Sequence, residues 1–132
     1  MFKLSRVLPF VVVALLALHT HTASAQKTYN WDNRAYEGCH LLIGKITFNP
    51  DGTGFWEATT YSDVSYLTMG IVISAKSSGG TTLYTLPSLS TPRMNAGNAT
   101  AGHFPWTKSF VYDRSIYNDL HTADASYTCT RS

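Results

Sequence analysis

His40, Glu57, Arg93 and His103 are the residues of this chain whose types could do chemistry together. A carboxylate or imidazole that takes a 2′-hydroxyl proton, a second imidazole that protonates the leaving oxygen and a guanidinium that holds the phosphate make up a ribonuclease-type centre. Their spacing gives no reason to bring them together. His40 opens a strand beside Cys39, Glu57 lies mid-strand on an outward face, and His103 closes a long connection. Separate solvated side chains are the simpler reading, so no catalytic residue is assigned and a secreted hydrolase stays as the alternative. No Gly-x-Ser-x-Gly elbow, His-Glu-x-x-His pair, calcium-loop pattern or nucleotide-binding glycine motif occurs. Neither a metal nor a cofactor is expected.

The elements that would position any site begin after an N-terminal segment with the grammar of export. Lys3 and Arg6 precede an apolar run from Val7 to Leu18, and Ala23-Ser24-Ala25 offers the small residues that signal peptidase accepts. The run is too short for a membrane span. Residues 1–25 are therefore read as a secretory signal and 26–132 as one mature domain, extracellular or periplasmic, with no membrane attachment after cleavage. Without Lys3 and Arg6, eight of the ten basic residues remain against eight acidic ones, scattered singly, so nucleic acid is not an expected partner.

Cys39 and Cys129 are the only cysteines, and an oxidising compartment predicts their pairing. No basic cluster or second ligand pair accompanies either, which argues against a catalytic thiol or a metal site.

Along the mature chain the apolar period is two. Residues 40–48 place Leu42, Gly44, Ile46 and Phe48 on one face and Leu41, Ile43, Lys45 and Thr47 on the other. Asn49-Pro50-Asp51-Gly52-Thr53 is a hairpin turn, and 54–61 returns with Trp56 and Ala58 inward and Phe55, Glu57 and Tyr61 outward. Strands at 66–75 and 81–86 flank Ser77-Ser78-Gly79-Gly80, residues 87–102 read as a long loop, and 103–112 carries Phe104, Trp106, Phe110 and Tyr112 on one face. Residues 113–125 read as loop and 126–130 as a last short strand. Six or so antiparallel strands predict an all-β domain, a small antiparallel β-barrel closed by one disulfide, with a β-sandwich as the alternative.

The run Gly38-Cys39 followed by an apolar strand, then Phe48-Asn49-Pro50-Asp51-Gly52-Thr53-Gly54-Phe55-Trp56-Glu57-Ala58, resembles a family of small secreted bacterial proteins of unknown function. That resemblance implies a β-barrel and export and no activity. Ser74-Ala75-Lys76-Ser77-Ser78-Gly79 and Trp106-Thr107-Lys108-Ser109 resemble the SxSG and Trp-x-Lys-Gly segments of periplasmic lysozyme inhibitors, with one extra residue in the first and Ser109 in place of glycine in the second. The resemblance implies that a serine and Lys108 would satisfy a carboxylate pair in an enzyme cleft by charge-assisted hydrogen bonds.

Fifteen residues of the mature chain are aromatic, and the 54–61 strand carries them on both faces. Either a second layer covers Phe55 and Tyr61, or they form an exposed platform for a sugar or a protein. The resulting expectation is a monomeric, non-catalytic binding or hydrolase-inhibitor module. Its contacts are Phe55, Tyr61, Lys108 and Arg93, and its partner is a glycan or a secreted hydrolase. A passive surface or matrix protein is a further alternative. Asn98-Ala99-Thr100 meets the N-glycosylation pattern.

Overall fold

A computed structural model describes residues 26–98 and 100–131, so the N-terminal segment read as a signal lies outside the described residues. Seven strands run in chain order: β1 Lys27–Tyr36, β2 Cys39–Phe48, β3 Thr53–Ser62, β4 Leu67–Lys76, β5 Thr82–Ser90, β6 Phe104–Val111 and β7 Thr122–Arg131. All neighbours pair antiparallel, in a four-stranded sheet ordered β1-β2-β3-β6 and a three-stranded sheet ordered β5-β4-β7. The all-β expectation holds. The expected closed barrel does not: no ladder among the described strands joins the two sheets, which instead share one core in the manner of a sandwich.

The seventh strand is one the apolar pattern did not mark. β1 sets Thr28, Tyr29, Trp31 and Tyr36 among Asn, Asp, Lys and Arg, residue types with low strand preference, with no sustained apolar alternation, and it exists because β2 supplies a partner from Lys27↔Phe48 to Tyr36↔Cys39. The face assignment of β2 also needs correction. A bulge between Leu41 and Ile43 inserts one extra residue against β3, so Cys39 and Leu41 share the buried side with Gly44, Ile46 and Phe48 while Ile43 is exposed. Phase is lost across Leu42, and a strict period of two cannot cross a bulge.

The inner face of the first sheet is built around its tryptophans. One rung runs Trp31–Gly44–Ala58–Trp106, two indoles flanking two small residues. The space above Gly44 is filled by Trp56, which is fully buried, and a Cβ on Gly44 would stand 2.8 Å from its Cη2. A second cluster gathers Phe48, Phe110 and Tyr112 with Tyr84 from β5, which brings the other sheet onto the first. Gly54 lies flat beneath the Phe110 ring. Burial pushes the Tyr112 phenol up to about 12, and its hydroxyl donates to the Asn49 carbonyl.

Cys39 and Cys129 are bonded, with Cα atoms 5.8 Å apart. The bond joins β2 to β7 and so ties one sheet to the other.

The predicted hairpin turn is formed. The Asn49 N–H donates to the Thr53 carbonyl at 2.9 Å, and Asp51 Oδ1 accepts from the Thr53 hydroxyl and N–H, which holds the Asp51 carboxyl below its ordinary value. Gly52 has φ of +93°, and a Cβ there would meet the Tyr112 carbonyl at 3.1 Å. Gly52→Val is therefore expected to lose about 1–2 kcal/mol, the cost of left-handed backbone for a side chain with a Cβ. Equilibrium urea unfolding measures this, and an unchanged midpoint at equal slope would contradict the strain.

Two predicted loops are more structured than expected. β5 continues through Pro87 to Ser90, with a register irregularity opposite Val72. The connection beyond it is stitched to neighbouring backbone: Thr91 N–H donates to the Met69 carbonyl, Met94 N–H to Leu67 and Gly97 N–H to Ser62. Met94 and Thr91 are buried, so this segment closes one end of the core. Residues 113–125 contain a 3₁₀ helix, Arg114–Asp119, and β7 starts at Thr122 rather than at Ser126. Asp113 caps the helix by accepting from the Ser115 N–H, and Lys27 donates to the carbonyls of Tyr117 and Leu120 at its far end.

Candidate functional site

The outer face of the four-stranded sheet is formed rung by rung by side chains that point away from the core. Thr47, Phe55 and Ser109 share one rung, Lys45, Glu57 and Thr107 the next, and Ile43, Thr59 and Pro105 the third. At the end of the face lies a stack of three rings. His40 and Tyr61 are cross-strand partners with ring centroids 4.3 Å apart and planes within 4°, and His103 lies against Tyr61 at 5.8 Å.

Each imidazole is held from the rim. The His40 Nε2–H donates to Asp63 Oδ1 at 2.8 Å, and the His103 Nε2–H donates to the Asn98 carbonyl at 2.9 Å. Asn98 is itself fixed, its Oδ1 accepting from the Thr100 N–H and hydroxyl and from the Ala101 N–H. The long connection thus has a structural task, since it carries the residue that orients His103. Two clefts open beside the stack. One of about 70 Å³ is lined by Asn33, Arg34, His40, Leu41, Leu42 and Tyr61, and one of about 320 Å³ lies around Ile43, Glu57, Thr59, Pro105, Trp106 and Thr107.

Of the residues singled out from the sequence, the structure joins His40, Tyr61 and His103 and scatters the rest. Phe55 is on the same face as Tyr61 but six residues along β3, roughly 20 Å away at about 3.4 Å per residue. There it borders a shallow apolar groove with Phe110 and Val111, the latter 76% exposed. Phe55 and Tyr61 therefore do not form one platform. Arg93 lies over the Tyr66 ring at 5.6 Å. Lys108 is opposite Trp56 in the ladder, which puts it on the inner side of β6, an edge strand. An inward charge on an edge strand discourages pairing with a foreign strand, and that role accounts for Lys108 without any enzyme cleft. Ser77 and Ser78 sit in the β4–β5 turn beside residues 118–121, in a cleft whose lining does not include Lys108.

The ribonuclease arrangement is not assembled. Tyr61 stands between the two imidazoles, and Glu57 is four residues from Tyr61 along β3, roughly 13 Å, with Lys45 and Thr107 as its cross-strand neighbours. General acid–base chemistry needs both groups within hydrogen-bond reach of one reacting centre. Among the described residues no three His, Cys, Asp or Glu side chains are grouped to hold a metal ion. Asp63 carries no signal in the sequence, because its partner His40 is 23 residues away and such a separation leaves no local motif.

Residues 45–129 match DUF6294, a family of unknown function. The chain belongs to that family. Tyr61, His103 and Cys129 fall within the matched span of this DUF6294 protein, and Cys39 and His40 precede it. No curated protein and no solved structure matches the chain. The disulfide, and the lack among the described residues of any helix long and apolar enough to cross a membrane, are compatible with a secreted protein.

Proposed function

We propose that the protein is an exported, non-catalytic binding module that engages a protein partner, with a secreted hydrolase as the partner class, through the outer face of its four-stranded sheet. The observation that carries this reading is the packing of the three rings. Sugars stack on the open π-face of an aromatic ring, and both faces of Tyr61 are occupied by imidazoles. What the stack offers outward is ring edges with hydrogen-bonding atoms, next to Ile43, 53% exposed, and Pro105. An apolar centre bordered by polar edges suits a protein surface better than a glycan.

The test uses the oxidised mature chain immobilised against the exported proteins of its own source. Ile43→Glu and Tyr61→Ala are expected to reduce stoichiometric retention of a discrete partner at least tenfold while leaving the melting temperature nearly unchanged. Ser126→Glu, on the outer face of the other sheet, should leave retention intact. Retention that all variants share, or retention on a glycan array with the same dependence on Tyr61, would overturn the reading. So would cleavage of RNA by the native protein that His40→Ala abolishes.

A further inference from the structure

We infer that the free edge of β6 takes one short extended segment of a partner chain, paired antiparallel, with an acidic side chain opposite Lys108 and apolar side chains two residues to either side of it. This deepens the partner reading above and rests on it only for the existence of a partner. β6 ends the four-stranded sheet, with β3 on one side and no ladder on the other. Its register shows which backbone groups are unpaired. In an antiparallel ladder alternate residues exchange both backbone bonds with the neighbouring strand, and the residues between them point both groups away. Pro105 has no N–H to exchange, so it belongs to the second set, together with Thr107, Ser109 and Val111. Two contacts agree with this. The Phe104 carbonyl turns toward β3, where it accepts from the Thr60 hydroxyl, and the Val111 carbonyl turns outward, where it accepts from the Tyr84 hydroxyl of β5.

Pro105 at one end and Tyr84 at the other bound a short window. Within it the N–H and C=O of Thr107 and of Ser109 face outward, and Thr107, Lys108 and Ser109 are all exposed. A segment pairing there forms backbone bonds to these four groups, the mode by which a peptide adds a strand to a sheet edge. The side chains set what fits. Trp106, Lys108 and Phe110 share the inner side of β6, so alternate residues of the added segment lie opposite them. Trp106 and Phe110 are half-buried apolar surfaces, Phe110 stacked on Tyr84 with ring centroids 5.9 Å apart. Lys108 has no ion-pair partner among the described residues. Its pairing with the segment is of the non-hydrogen-bonded kind, which brings cross-strand side chains closest, so a carboxylate opposite meets the ammonium directly. The inward lysine thus deters a strand that leaves it unpaired and admits one that carries the opposite charge. Self-pairing centred on the same window would set Lys108 against its own copy, ammonium on ammonium, which argues for a different chain.

The probe is a capped five-residue peptide, valine-threonine-glutamate-threonine-valine, titrated into the intact oxidised protein and followed by amide NMR and hydrogen exchange. Slowed exchange of the Thr107 and Ser109 N–H groups is expected, with shifts centred on residues 106–110. N-methylation of either threonine of the peptide, whose N–H faces the edge, should abolish binding, whereas N-methylation of the glutamate, whose N–H faces away, should leave it. Lys108→Glu should lower affinity for this peptide at least fivefold and raise it for the peptide with lysine in place of glutamate, with the amide spectrum confirming the fold. No binding at millimolar peptide, slowed exchange elsewhere than at Thr107 and Ser109, or an unchanged charge preference in Lys108→Glu would overturn the proposal. So would slowed exchange of the same two amides without peptide that grows with protein concentration, which would assign the edge to a second copy. Failure of the peptide with Ile43→Glu still reducing capture would remove the strand segment alone, whereas peptide binding without any captured partner would remove the partner reading alone.

Discussion

Replacing Cys39 and Cys129 together by alanine is expected to lower stability by roughly 4–5 kcal/mol, the loop-closure entropy of a cross-link spanning about 90 residues. That is comparable to the whole net stability of many small domains, so the variant should be partly unfolded at body temperature. Two features of the structure push the effect toward the high end. The bond spans nearly the full described chain, 90 residues apart in sequence, and it connects two sheets that no hydrogen-bonded ladder among the described strands joins. Cys39 is also fully buried, so truncation leaves a small void in addition. Urea unfolding with and without reductant, beside the double variant, measures the loss. A change below about 1 kcal/mol would mean that the unfolded chain keeps the two ends together without the bond.

Trp56→Ala is expected to cost about 3–5 kcal/mol, the range for emptying a large aromatic site in a well-packed core. Trp56 is fully buried and touches both other indoles, with ring centroids 6.0 Å from Trp31 and 6.0 Å from Trp106, so collapse into the void would have to move both. Its Nε1–H has no hydrogen-bond partner. Trp56→Phe should accordingly cost less than the alanine variant by more than ring volume alone predicts, because it also removes a buried donor whose desolvation costs about 1–3 kcal/mol. Phe55→Ala, one residue away on the opposite face, should stay within about 0.5 kcal/mol of the native protein. Calorimetry on the three variants checks the order, and a Phe55→Ala loss equal to that of Trp56→Ala would reverse the inward and outward faces of β3.

Local patterns in the sequence were reliable where neighbouring residues decide the outcome. The Asn49 to Thr53 turn rests on Asp51 bonding its own backbone and on Gly52 taking positive φ, both legible from five letters. The face assignment of β3 rests on Glu57, which could not share a side with Trp56. The pattern failed where a partner strand decides. β1 is a strand because β2 accepts its backbone, the phase of β2 changes at Leu42 because β3 is one residue shorter there, and the segment after Ser90 is ordered by carbonyls of β3 and β4. The site suffered the same way. Tyr61 was legible as an outward aromatic, yet its neighbours His40 and His103 lie 21 and 42 positions away, and only the antiparallel registers bring them to its two faces.

The three tryptophans of the chain are all in one cluster on the inner side of the four-stranded sheet, and none is on its outer face. Their emission is therefore a gauge of the core: it should be blue-shifted and depolarised by transfer among the indoles in the native protein, and should change together as the sheets separate. A ligand seated on the stack meets an imidazole and a phenol first, and the indole nearest to it is Trp106, which lines the 320 Å³ cleft on that face. Fluorescence then follows separation of the sheets while the imidazole resonances follow binding at the stack, so a substitution at the stack can be scored for the two properties in one sample.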